Sequence, residues 1–251
     1  MNLLIDPYVS RWIGARPPAF LKPEDLADAG DILVGHGHFD HAIDIPAIVQ
    51  VAPKARVFCA PRVARVLAAR RVPAERIHTL SPGQVFEAGG ARVTALATRH
   101  IRYDLPLVLA TLRRTGMRRL LGFWPLVGWP AGGPLSYLIE AEGHTVLHIS
   151  TCGPTAAELE SLAARAVDLL LIPLQGHTHI DRLAAHVAVR IRPRSILVHH
   201  QDDFAPPISQ RVDVAPFRRR MQSMLPNVPV LEIDVGETIH WNPVLNSEEA
   251  T

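Results

Sequence analysis

His36-Gly37-His38-Phe39-Asp40-His41 places three imidazoles and one carboxylate within six residues. Imidazole and carboxylate are ligands for zinc and other first-row divalent cations. A solvated surface loop has no need of four such groups side by side. The chemistry such a cluster could support is metal-assisted hydrolysis, in which two cations about 3.5–4 Å apart activate a water and clamp the reacting group. The run Asp31-Ile32-Leu33-Val34-Gly35 just before it reads as a buried strand. A loop leaving a strand end can turn its side chains inward. In an extended stretch His36 and His38 point the same way, and Asp40 and His41 then need a turn.

Other donors sit after strand-like runs. His100 follows Val93 to Ala97, and the pair His199-His200 ends the run from Ile196. His177 and His179, in Gln175-Gly176-His177-Thr178-His179, follow Leu169 to Ile172 and could lie at the same sheet edge. They read as substrate-contacting or proton-shuttling candidates, or as plain loop histidines. His144 and His148 flank a hairpin strand and read as structural. Asp44 reads as the cap of a helix starting near Ile43.

The elements that must position these groups alternate along the chain. Strands are predicted at Leu3–Ile5, Ile32–Gly35, Arg56–Cys59, Arg92–Ala97, Leu135–Ala141, Thr145–Ile149, Leu169–Ile172, Ser195–Val198 and Val230–Ile233. Helices are predicted at Pro23–Ala29, Ile43–Val51, Pro61–Arg71, Thr155–Ala166, Asp181–Ile191 and Val214–Met224. Pro23, Pro61 and Pro154 sit near helix starts, where a missing N–H costs nothing. Strands interspersed with helices argue for α/β layering.

The spacing His-x-His-x-Asp-His resembles the signature of the metallo-β-lactamase superfamily. Further stretches resemble that family in order: Leu3-Leu4-Ile5-Asp6-Pro7, Thr98-Arg99-His100, Tyr137 to Glu140 with Thr145 to Gly153, and Ile196 to Phe204. The branch most resembled is that of ascorbate-6-phosphate-lactonase-like and phospholipase-D-like hydrolases, with their similar Gly-His-Gly-His-x-Asp-His. The resemblance implies a four-layered αββα sandwich, α/β in class. It would form one domain over 1–245 with a frayed tail at 246–251. The family usually has a strand hairpin before the Asp-Pro element, where this chain starts, so the first sheet would either be one N-terminal hairpin short or have that edge covered by another subunit or by the apolar segment 100–134. It implies that His36, His38 and His100 hold one metal, and that Asp40, His41 and His200 hold a second, with Asp40 also catalytic. Counting from Pro193 favours His200 over its neighbour His199, which would face the other way or support the ligands from behind. Asp6 would hydrogen-bond the ligand loop, or simply form a turn before Pro7.

The chain departs from the family at the bridging turn, where an Asp is usual and Ile149-Ser150-Thr151-Cys152-Gly153 stands instead. Either Thr151 or Cys152 falls in that register. A thiolate is a good zinc ligand, but a small buried Cys is an equal reading. Two zinc ions are expected by resemblance, or one if the bridge is lost, and manganese or iron would suit the same donors. The activity implied is attack of a metal-bound hydroxide on a lactone, ester or phosphodiester. The rival reading is a metal-binding sensor or binding module with little catalysis.

Composition sets the bounds. At 251 residues with 48% hydrophobic content a sizeable core is available. A net charge of +2 gives no general affinity for nucleic acid. Two cysteines fit a reducing, cytoplasmic compartment, and the N-terminus does not read as a signal peptide. The twenty residues from Leu120 to Ile139 carry no charge, the length of a membrane span. Pro125, Pro130 and Pro134 among four glycines would break such a helix. The segment 100–134 instead reads as an apolar, Arg-rich insert or flap. It holds Arg102, Arg113, Arg114, Arg118 and Arg119, with Arg99 just before it, then Phe123, Trp124 and Trp129. Arg can pair with phosphate or carboxylate, so a small or amphiphilic anionic substrate is expected. Peripheral membrane contact through 120–134 and a homo-oligomer interface are the other readings.

Overall fold

Alternation along the strands decides the layering. The computed structural model describes residues 3–116, 119 and 121–241. The tail at 246–251, together with Arg118 and Leu120, lies outside them. In chain order the elements are β1 (Leu3–Ile5), β2 (Asp31–Leu33), α1 (Phe39–Ala42), α2 (Ile45–Val51), β3 (Arg56–Cys59), α3 (Pro61–Ala69), β4 (Ile77–Thr79), β5 (Val85–Ala88) and β6 (Ala91–Ala97). They continue with α4 (Leu105–Thr115), β7 (Leu135–Ala141), β8 (His144–His148), α5 (Ala156–Ala163), β9 (Leu169–Pro173), α6 (Ile180–Ile191), β10 (Ser195–His199), α7 (Ala215–Met224) and β11 (Val230–Glu232).

The smaller sheet has the order β1-β2-β3-β4, all parallel. The larger has the order β11-β10-β9-β8-β7-β6-β5, parallel from β11 to β8 and antiparallel from β8 to β5. Successive strand residues face opposite sides. Along β7, Leu135, Tyr137 and Ile139 therefore join the apolar cluster between the sheets, while Leu138 joins a second cluster. The first cluster also takes Ile32 and Val57 from the smaller sheet, with Ile45 and Ile48 of α2 and Leu67 of α3. The second packs Leu147, Leu170 and Ile196 against Leu159 of α5, Ala184 of α6 and Phe217 of α7. The layers are helix, sheet, sheet, helix, as expected. The buried Tyr137 hydroxyl donates to the Val34 carbonyl at 2.7 Å and clasps one sheet to the other. A buried tyrosine needs such a partner.

Local chemistry explains several starts and stops. Pro61 opens α3 where its missing N–H is harmless. Thr155 and Glu158 form a reciprocal capping box for α5. Asp31, at the foot of β2, accepts from Arg56 Nε and Nη2 at 2.7 Å each and from the Gly89 amide at 2.7 Å. Burial alone would raise the pKa of Asp31, but Arg56 and Gly89 outweigh it and hold it low.

Some expectations change. The predicted helix Pro23–Ala29 is a single 3-10 turn over Pro23–Leu26. The strands β4 and β5 and the helices α1 and α4 were not foreseen. Within 120–139, the 3-10 turn Trp124–Gly128 precedes β7, and no helix among the described residues is long and apolar enough to cross a membrane.

Candidate metal centre

The site is built at strand ends. Asp6 follows β1, His36 follows β2, His100 follows β6, Ser150 follows β8 and His200 follows β10. Asp6 and His200 take left-handed φ angles of 47° and 59°. Such angles are uncommon outside Gly and concentrate where function over-determines the backbone. Here they turn two side chains off their strands and into one cleft. The turn that Asp40 and His41 need is the single-turn helix α1, with His38 at its N-cap.

Three sets of donor atoms converge, each set within 4.8 Å of one another: His36, His38 and His100; Asp40, His41 and His200; and Asp6, His36 and His41. The His36 ring lies 4.8 Å from His38 and 5.1 Å from His100, centroid to centroid. Asp40 Oδ2 is 3.2 Å from His200 Nε2 and 3.6 Å from His41 Nε2.

Support comes from behind. His36 Nδ1 pairs with Ser150 Oγ at 2.9 Å, which leaves Nε2 for the cleft. Asp6 Oδ1 accepts from the Gly35 amide at 2.6 Å, and its other oxygen lies 2.9 Å from His41 Nδ1. That second contact is an ion-pair approach without hydrogen-bond alignment. A Cβ on Gly35 would sit 2.3 Å from Ser150 Oγ and 2.6 Å from Asp6 Oδ2, so only glycine lets these two carriers close in. His100 Nδ1 is 2.7 Å from the Ile101 carbonyl.

Protonation states suit a cation. Burial pushes His38 down to about 4 and holds His36 well below the usual imidazole range, and neighbouring imidazoles add to both shifts. Burial also lowers His100. These three are therefore neutral with free lone pairs. Burial would raise the pKa of Asp40, but His41 and His200 outweigh it and keep the carboxylate ionised. His41 is the exception. Burial opposes its charge, yet Asp6 and Asp40 overcome this and raise it to about 9. Two carboxylates call for positive charge at His41, and without a cation a proton supplies it. The donor set therefore fits divalent metal, with that proton displaced on binding.

The remaining sequence candidates divide. Cys152 does not join the cluster: its buried thiol donates to the Pro173 carbonyl at 3.3 Å in the second core, and burial pushes it up to about 12. Thr151 Oγ1 accepts from the Ile101 amide, and Ser150 is the residue of that turn that reaches the ligands. His199 points between the sheets, its ring stacked 5.2 Å from that of His148. His177 and His179 are tied to the rim. The His177 Nδ1 accepts from the His179 amide and lies 3.9 Å from Asp104. Asp44 stands at the start of α2, but its carboxylate accepts from the Val9 and Ser10 amides rather than capping the helix. Sequence reasoning missed the roles of Ser150 and of Tyr103, whose ring is 5.6 Å from His100. A Ser directly after a strand, beside the turn where a ligand is usual, was the available signal for the first.

Known proteins resemble this chain in sequence and in fold. Residues 1–201 match the family model described as "Beta-lactamase superfamily domain". The chain is similar to a "UPF0173 metal-dependent hydrolase" of Polynucleobacter asymbioticus, 28% identical over 247 residues, 95% of this chain and 79% of that protein. It is similar in fold to Igni18, a metallo hydrolase from Ignicoccus hospitalis, with TM-score 0.65 at 19% identity over 94% of this chain and 89% of that one. It is also similar to CmlA, a diiron beta-hydroxylase from Streptomyces venezuelae, with TM-score 0.58 at 14% identity over 92% and 49%. Identities this low between structures speak for the fold alone.

Proposed function

This chain belongs to the beta-lactamase superfamily and is a metal-dependent hydrolase of it, and on that premise we propose that it cleaves an anionic lactone, ester or phosphodiester at a two-cation site. In this reading His36, His38 and His100 hold one cation, and Asp40, His41 and His200 hold the other. Zinc is the proposed ion, because five imidazoles with one carboxylate suit it. When bound, the cations would supply an activated water and Lewis-acid polarisation of the scissile group.

The protein's own part is orientation and charge. Ser150 and Asp6 fix the imidazoles of His36 and His41, as outer partners of ligand histidines do. Asp40 stays ionised between His41 and His200, and we assign it the catalytic carboxylate role. The exposed Arg99 and Arg102 flank His100, where they can meet an anionic substrate. Cys59 and Cys152, both free and buried, suit the reducing compartment of a cytoplasmic enzyme.

What supports the reading is the convergence of six side chains in two triads, with His38 held neutral by burial and Asp40 kept ionised by its histidine neighbours. The test is metal analysis with turnover. Zinc-loaded protein is expected to carry about two ions per chain and to hydrolyse members of a panel of anionic lactones, esters and phosphodiesters. Loss of all hydrolysis across that panel, with two ions bound, would refute the catalytic assignment. One observation favours a second reading, a metal-binding module: the turn Ser150-Thr151-Cys152 offers no carboxylate between the two triads. A single tightly held ion with no turnover would select it.

A further inference from the structure

Helix α4 turns an apolar face to solvent. Leu105, Val108, Leu109 and Leu112 recur at the spacing that puts them on one side of a helix. Their exposures are 67%, 38%, 43% and 41%, and Thr115 is the one buried residue of the helix. The opposite side ties the helix down, with Arg114 donating to the Pro207 carbonyl at 2.8 Å and to Ile208 at 3.3 Å. The turn that follows leaves Leu121 67% and Trp124 72% exposed. A soluble surface gains nothing from so many bare side chains in one short segment.

Charge identifies the occupant. Residues 99–133 hold six arginines against one acidic side chain, Asp104, a net +5 in a chain whose total is +2. Arg102, Arg113 and Arg119 are exposed around the apolar face. A second copy meeting this face by two-fold symmetry would set these arginines against their own counterparts. An anionic lipid surface meets both features, burying the leucines at the level of the acyl chains while the arginines reach headgroup phosphates.

We propose that α4 and the turn after it dock this protein on anionic membrane surfaces. The docked face begins where the metal centre ends. Tyr103 packs on His100, and Asp104, the N-cap of α4, accepts from the Thr178 amide at 3.0 Å. The bilayer would therefore lie beside the mouth of the cleft.

The test is co-flotation of the full-length, metal-loaded protein with phosphatidylcholine vesicles, with or without about a third of phosphatidylglycerol. Binding to the anionic vesicles is expected, falling as salt rises and absent on phosphatidylcholine alone. Leu109→Asp with Leu112→Asp should abolish it, with circular dichroism and metal content unchanged. Arg113→Gln and Arg119→Gln should each weaken it about fivefold. No binding to anionic vesicles overturns the proposal. A dimer in sedimentation equilibrium that the same two leucine substitutions split also overturns it, because a second copy then covers the face.

Discussion

Replacing His148 with Phe should change how this protein's stability depends on pH. His148 is 4% exposed, its Nδ1 has no hydrogen-bond partner, and its ring stacks between those of Tyr137 and His199. Burial pushes its pKa from 6.5 down to about 4. The folded protein therefore keeps it neutral, while the unfolded chain takes up a proton below 6.5. The sign follows: stability present above pH 6.5 is lost as pH falls toward 4. The full effect is about 3 kcal/mol, of which about 2 kcal/mol is lost between pH 7 and pH 5. Phe removes that proton uptake. It also removes an unpaired buried nitrogen, a gain of about 1–3 kcal/mol. The larger ring costs a similar amount in overpacking, about 1–3 kcal/mol. Neither of those two effects varies with pH, so the slope is the diagnostic. The assay is urea unfolding of chelator-treated protein at pH 7, 6 and 5. The variant should gain about 2 kcal/mol on the parent across that range. Parallel curves would show that His148 is not held neutral by burial, and the reasoning would fail.

Other perturbations test the support around the ligands. Ser150→Ala removes the hydroxyl on His36 Nδ1, and metal affinity should fall about 10–100-fold in competition with a chromogenic chelator. Gly35→Ala drives a methyl into Ser150 and Asp6. It should cost about 3 kcal/mol or more in urea unfolding, with part recovered in the double variant that also carries Ser150→Ala. Asp6→Asn should lower the pKa of His41, which burial opposes and Asp6 and Asp40 raise to about 9. The metal-free parent should thus lose stability as pH rises from 6.5 through 9, and the variant should lose less, an outcome that thermal melts across that window can contradict. Chelation should lower the melting temperature of the loaded protein, and zinc at a hundredfold its dissociation constant should restore about 2.7 kcal/mol.

How far the sequence reached can be seen residue by residue. Nine predicted strands coincide with observed ones because each contains or adjoins a run of apolar residues. In β4 and β5 the polar His78, Thr79 and Glu87 interrupt the apolar residues, so neither stands out as such a run. The helix α4 escaped because its leucines face solvent, so they read as a flap rather than as a buried stripe. The convergence of His36, His38, His100 and His200 was legible because each follows a strand end. The 150–153 turn was not, because side-chain direction there depends on a single residue of register. Thr151 and Cys152 both pack away, and Ser150 alone faces His36.

The Tyr137 clasp between the sheets has a consequence for assembly. His36, His38, Asp40 and His41 hang from the smaller sheet, whereas His100 and His200 hang from the larger. Neither sheet by itself completes either of the two triads proposed to hold the cations. An ion bound there acts as a rivet through both leaves, and its capture must await their docking. Protease resistance and ion uptake should consequently emerge together during refolding.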